Sequence, residues 1–356
     1  MKTQLTIAVL ATLSLPLHAE INISGFASVN GGKVISGTGV PQYDVEPTFL
    51  ADYPIVSAYT QDFSMKPESL FGLQFTGNLS EGLFATAQIV ARGANDYDAK
   101  FEWAYISYEL NDSLTIQAGK KRLPLFYYSD FFDVGYAYVW MRAPADNYTW
   151  QIFNYNGINA LYSGSIGDWS LSGNIYGGRE DDTNNKLLSD FFFLEPVREI
   201  WKDILGGVIQ ASNDWLEIRA THMQYTNERY RSGEQVLWDG KPQRDGKFYG
   251  LSVNADFGNL FILTELNRLD LGGNLDTYMI SVGYRFNDIT PYFAYADFEE
   301  DATDGEHHDT MSLGVRWDFH SSAALKIQYD KVEEHSFDLA VAGDSESITF
   351  GIDVVF

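Results

Sequence analysis

From Ile21 to Phe356 apolar and polar residues alternate with period two, in segments of about ten residues separated by turn signals. Clear runs are Phe71-Leu73-Phe75-Gly77-Leu79, Leu83-Ala85-Ala87-Ile89 and Ala104-Ile106-Tyr108-Leu110. Further along come Tyr249 to Phe257, Tyr278 to Phe286 and Met311 to Phe319, in which every second residue is apolar or aromatic. The interleaved positions are polar or small, for example Gln74, Thr76 and Asn78, or Ser312, Gly314, Arg316 and Asp318. Such a period predicts half-buried strands, and a soluble sandwich would show it too. The connections separate the two. Tight turns at 80–82, 111–113, 167–168, 213–214, 258–259, 287–288 and 320–322 alternate with longer polar stretches near 31–67, 93–99, 122–150, 178–202, 226–246, 299–308 and 333–345. Short turns at one rim and long loops at the other predict a transmembrane antiparallel β-barrel of about sixteen strands, correct to within two.

The first nineteen residues read differently: Lys2 is basic, Leu5 to Leu17 apolar, and Leu17-His18-Ala19 offers a small-residue cleavage site. The expected organisation is a signal peptide over 1–19 and one barrel over 20–356. No later segment is apolar for long enough to form a membrane helix. With no cysteine, an exported chain of this size relies on its own sheet. The 22 Tyr, 24 Phe and 31 Gly against 10 Pro suit strands and tight turns. A formal charge of −25 disfavours nucleic acid as a partner. Trp103, Tyr105, Trp169, Trp215, Phe257, Phe286, Trp317 and Phe319 lie toward strand ends, where aromatic girdles at the lipid interfaces are expected.

The carboxyl end, Ser347-Ile348-Thr349-Phe350-Gly351-Ile352-Asp353-Val354-Val355-Phe356, alternates and stops on an aromatic. It resembles the terminal strand of outer-membrane barrels, whose last aromatic belongs to the signal read by the barrel assembly machinery. A second match is Ala104 to Leu110, a turn, Leu114 to Gly119, then Lys120-Lys121-Arg122-Leu123-Pro124. This is similar to the strand pair that precedes the third external loop of Gram-negative general porins. The resemblance implies a sixteen-stranded barrel whose third loop folds into the lumen, a homotrimer, and an outer-membrane setting among lipid and lipopolysaccharide. The implied activity is a water-filled channel for passive diffusion of ions and small hydrophilic solutes. Here the loop, Leu125 to Pro144, is more aromatic and less acidic than in typical general porins; chiefly Asp130 and Asp133 supply its charge.

Candidate constriction residues are therefore Tyr127, Tyr128, Asp130, Asp133, Tyr136, Tyr138, Trp140 and Arg142. The strand phase assigns Arg92, Glu102, Glu217, Arg219, Arg285, Arg316, Lys326 and Asp353 to the lumen wall, since a basic group facing hydrocarbon costs about 2–4 kcal/mol at the midplane. Asp130 and Asp133 facing Arg92, Arg285 and Arg316 would set a transverse field across the pore. Acidic runs at Arg179 to Asp182 and Glu299 to Glu306 would gather cations at the mouth.

Chemistry beyond transport finds little support. There is no phosphate-binding glycine loop, HExxH or GxSxG, and neither His222 nor His320 has an evident catalytic partner, so no enzyme and no cofactor are expected. His307-His308-Asp309 lacks metal-ligand spacing, and no metal is expected. Two alternatives to a general channel stay open. One is a substrate-specific uptake channel in which the loop tyrosines and Trp140 hold a solute; the other is a non-conducting surface-recognition barrel.

Overall fold

Every period-two segment forms a strand in the computed structural model, which describes residues 20–356 apart from 52, 54, 150, 303, 304 and 337–341. The expected leader, 1–19, lies outside the described residues. Sixteen long strands make the wall. They are β1 (Ile21–Gly37), β2 (Leu70–Ser80), β3 (Leu83–Arg92), β4 (Ala99–Asn111), β5 (Leu114–Arg122), β6 (Asn154–Ile166), β7 (Trp169–Asp182) and β8 (Val197–Ser212). The second half comprises β9 (Leu216–Arg231), β10 (Arg244–Asp256), β11 (Leu260–Asp270), β12 (Asn274–Tyr284), β13 (Ile289–Glu300), β14 (His307–His320), β15 (Ala323–Glu334) and β16 (Ser345–Val355). Each pairs antiparallel with the next, and β1 pairs with β16 through Gly31↔Phe350, so the sheet closes on itself. Closure leaves no unpaired edge, the condition for a strand structure in hydrocarbon.

The alternation sorts side chains as the sequence predicts. Ile175, Ile209, Leu251, Ile280 and Leu313 stand exposed on the outer face. The adjacent Ser252, Ser281 and Ser312, and Gln328 on β15, are buried on the inner one. Among the turns, Gly258 takes φ +85°, a conformation open to glycine, and its N–H is held by Asp256 Oδ1 at 2.9 Å. At the closing seam Gly25 and Phe356 exchange two backbone hydrogen bonds of 2.8 and 2.9 Å. The Phe356 ring lies so near that a Cβ on Gly25 would sit 2.4 Å from it.

Three expectations change. The connection between β11 and β12, residues 271–273, is as short as an inner turn although it lies at the external rim. Asp270 Oδ1 accepts the Gly272 N–H at 3.2 Å there, and the loop needs nothing longer. The stretches near 178–202 and 226–246 are strand at both ends, over 178–182, 197–202, 226–231 and 244–246, so that β8 and β9 have 16 residues each, against 11 for β11 and β12. Their polar residues form cross-strand pairs such as Arg198–Asp181 at 2.6 Å and Lys202–Glu228 at 2.6 Å, which a reading for apolar alternation mistakes for loop. Finally, Trp103 and Tyr105 are no lipid girdle. They pair with Gln88 and Thr86, whose side chains are buried inside. A bulge at Glu102 shifts the phase, leaving Phe101 exposed outside and Glu102 buried within.

Candidate channel site

Loop 123–153 leaves β5 and returns to β6, its ends joined by the Leu123 N–H to the Phe153 carbonyl at 2.8 Å. Two short turns, Ser129–Phe131 and Gly135–Ala137, shape its middle. Near its origin the loop meets a buried ionic network. Arg92 donates to both Asp133 oxygens, at 2.9 and 2.7 Å, and to Glu102 at 2.6 Å. Arg122, at the end of β5, reaches the same two carboxylates at 2.9 and 3.0 Å. Two positive and two negative charges balance, as burial demands.

Farther along, the loop binds strands on the other half of the sheet. The Tyr127 N–H donates to buried Glu265 at 2.9 Å, and the Tyr148 hydroxyl to the same carboxylate at 2.8 Å. Trp140 Nε1 donates to Ser281 Oγ at 2.9 Å. Lys326 Nζ pairs with Asp353 at 2.9 Å and donates to the carbonyls of Gly135 and Trp140, both at 2.6 Å. Arg316, paired with Asp318 at 2.7 Å, donates to the carbonyls of Tyr136 and Tyr138 at 2.8 and 2.7 Å. Arg219 does the same for Pro124 and Leu125, at 2.6 and 3.0 Å. Arg142 holds Glu68 of the first external loop at 2.5 and 2.6 Å and Asp330 of β15 at 2.6 Å. That first loop adds Tyr53, whose ring packs edge-on to Phe126 and Phe132, with centroids 5.3 and 4.6 Å apart. The aromatic stretch has apolar partners on the wall too: Phe126 and Tyr148 pack in one buried cluster with Tyr176, Trp201, Met223, Tyr225 and Phe248.

Beside this assembly lies a cavity of about 590 Å³. Tyr127, Tyr128, Tyr136 and Tyr138 line it, facing Asp214, Glu217, Asp256 and Asp318 and the two cations Arg285 and Arg316. Arg285 is ion-paired with Asp256 at 2.9 Å, and Glu217 accepts the Gln210 amide at 2.7 Å. A separate space of about 510 Å³ is lined by Ser113, Ser163, Ser165, Ser170, Ser172 and Ser212.

Several expected site residues meet. Asp133 faces Arg92; the Tyr138 carbonyl accepts from Arg316, and that of Trp140 accepts from Lys326, itself paired with Asp353, while Arg142 pairs instead with Glu68 and Asp330. Arg285 and Arg316 do not reach Asp133: Arg285 sits in the turn after β12, and Arg316 is spent on Asp318 and the loop backbone. Asp130 is exposed. Arg122, Glu68, Asp330 and Glu265 were not singled out from the sequence. Asp330 and Glu265 stand on the inner phase of β15 and β11 and could have been found by the period used for Lys326; Glu68 sits in a loop with no period to read.

At the external rim His335 follows β15 and bonds Asp309 at 2.6 Å, which holds its imidazole pKa above the ordinary 6.5. A group raised on folding stabilises the rim fully below the unfolded pKa and loses that contribution as pH rises through the folded one. An NMR titration should place His335 above 6.5, and Asp309→Asn should bring it back toward that value. An unshifted wild-type imidazole would contradict the pairing.

A closed antiparallel barrel with an apolar outside, a polar inside and short turns at one rim is the architecture of an outer-membrane channel. Residues 6–355 match the family of Gram-negative porins, and the chain belongs to that family. It forms an outer-membrane channel for passive diffusion. Among solved structures, OmpF of Salmonella typhi in complex with daunomycin aligns over 95% of this chain and 98% of its own, at 12% identity and TM-score 0.63. An anion-selective porin from Comamonas acidovorans covers 95% and 100%, at 13% and 0.60. OmpT of Vibrio cholerae in a trimer form covers 95% and 99%, at 12% and 0.58. At these identities the likeness concerns the fold. No curated protein matches the sequence.

Proposed function

We propose that loop 123–153 lies inside the barrel and narrows it, making the protein a restricted, weakly cation-preferring channel rather than a wide sieve. The observation that carries this reading is the reach of the loop: hydrogen bonds from one connection to inner-phase side chains of β9, β11, β12, β14 and β15. A loop outside the rim could not touch so many strands at their inner faces. Cation preference follows from the charges that remain. Arg92, Arg122, Arg142, Arg316 and Lys326 each face a carboxylate, while Glu217 and Asp214 add negative charge to the 590 Å³ cavity.

Planar-bilayer recordings under a salt gradient test it, with a reversal potential of the sign for cations expected. Glu217→Gln should lower the cation-to-anion permeability ratio by up to about fivefold, the equivalent of about 1 kcal/mol between unit charges in contact in water. Arg285→Ala should raise it by less, because Asp256 already offsets that charge. An anion-selective wild type would sink the proposal, whatever the selectivity of the Comamonas relative.

The four tyrosines favour a second reading, a solute-specific channel whose rings stack on a sugar or an organic ion. Solute-dependent block of the current would support it, and its absence across sugars and organic acids would remove it. In either reading the protein is exported by the 1–19 leader, assembles as a homotrimer like the Vibrio protein, and is inserted among lipid and lipopolysaccharide through the signal at Phe356. The porin family and the barrel fold favour a channel over an enzyme, and His222 Nδ1 lies 3.1 Å from the Phe248 carbonyl.

A further inference from the structure

Apart from the channel, the external rim gathers a second constellation. Strand β14 begins at His307, and its alternation sends the neighbouring histidines to opposite faces. His308 turns in and bonds Asp146 at 2.6 Å. His307 and Asp309 share the other side. Asp309 stands directly across from Glu333 of β15. The ladder then runs one step past the strand: the His335 N–H donates to the His307 carbonyl at 2.8 Å, and the His307 N–H donates to Ser336 Oγ at 2.8 Å. This backbone seats two imidazoles side by side, with ring centroids 4.9 Å apart.

One ligand atom each from Asp309, Glu333 and His335 lies within 4.8 Å of the others. His335 Nε2 and Asp309 Oδ2 are already 2.6 Å apart. Asp297 of β13 adds a carboxylate 3.5 Å from His307 Nε2. Around a tetrahedral ion with bonds of about 2.0–2.2 Å, ligand atoms stand about 3.4 Å from one another. The widest gap must therefore close by little more than an ångström, and the exposed side chains of Glu333 and His335 have room to do so.

We propose that Asp309, Glu333 and His335 form a divalent transition-metal site of the borderline class to which Zn2+ belongs, with His307 in reach as the fourth ligand. The donor set decides the class. Imidazole nitrogen beside carboxylate oxygen suits zinc, nickel and copper, whereas Mg2+ and Ca2+ prefer oxygen alone. Binding replaces the ammonium of Lys331, which now pairs with Glu333, and the proton between His335 and Asp309. It would also tie the end of β15 to the start of β14. Sequence spacing hides the site because the adjacent pair His307-His308 is split between faces, and the residue that completes it comes from the next strand.

Isothermal titration of the purified full-length protein in detergent with Zn2+ alone, and with Mg2+ as comparison, tests the assignment. Expected are one Zn2+ per chain, weaker binding of Mg2+, and a fall in Zn2+ affinity of about tenfold or more for both His335→Ala and Asp309→Asn. His308→Ala should bind as wild type does. Heat-modifiable gel migration checks that each variant retains the folded barrel. Equal Zn2+ affinity in wild type and folded His335→Ala, or equal affinity for Zn2+ and Mg2+, would overturn the site; so would the absence of Zn2+ binding.

Discussion

Arg142→Ala is expected to destabilise the protein by about 3–5 kcal/mol and to raise its single-channel conductance. The guanidinium is nearly inaccessible and serves two carboxylates, Glu68 and Asp330, that belong to a different loop and a distant strand. Removing it leaves both negative charges buried without a counter-ion, which costs more than the pair contributes when intact. Its plane also covers the Phe49 ring, 4.5 Å from the centroid, so the first external loop loses packing at the same time. If these loops constrict the channel as proposed, their release from β15 widens the path. Urea unfolding gives the first number and bilayer recording the second. Unchanged conductance in a folded variant would mean that the loop does not limit flow. Arg142→Lys separates charge from shape: it restores one ion pair but not the fork that holds Glu68 through two nitrogens.

Asp133→Ala has the second large expected effect, read in selectivity. In the wild type two arginines face Glu102 and Asp133, and the group is neutral. Without Asp133 it carries one net positive charge. Arg92 loses both of its bonds to the loop, and the repulsion between Arg92 and Arg122 is no longer offset. A shift of the reversal potential toward zero or to the anion side is the expected result, with a loss of about 3–5 kcal/mol in stability. Asp133→Asn keeps the shape and should shift selectivity with a smaller stability loss. If neither variant moves the reversal potential, the network lies off the ion path and serves only to fix the loop.

How much of this could be read in the chain depended on whether the relevant residue lay on a period. Lys326, Arg316 and Asp353 were assigned to the inner face because strand alternation is rigid, and the pairing registers place them there. Glu102 was assigned inward, yet the phase set by Ala104, Ile106 and Tyr108 would send it outward. Only the bulge reconciles the two, and a bulge leaves no mark in the hydrophobic pattern. Trp103 and Tyr105 needed no slip: alternation with the outward Ala104 and Ile106 already places them inside, and the girdle expectation followed their position near a strand end instead of their phase. Glu68 lay in a polar stretch whose partner is 74 positions away in sequence, so no local signal could find it. The turn at 271–273 was not singled out at all, because the general contrast between short and long connections leaves no place for a tight turn at the outer rim.

The unequal strands have a consequence for the way solutes arrive. Five more residues in β8 than in β12 amount to about 16 Å of strand, or about 12 Å of height at a tilt near 45°. Since the inner turns end both strands alike, the excess stands on the cell-surface side. One flank of the mouth is thus a parapet, stiffened by pairs such as Arg198–Asp181, and the flank about a quarter-turn around the ring, at 271–273, is a low sill. A bulky ligand bound to the parapet would by geometry leave the low flank of the mouth uncovered.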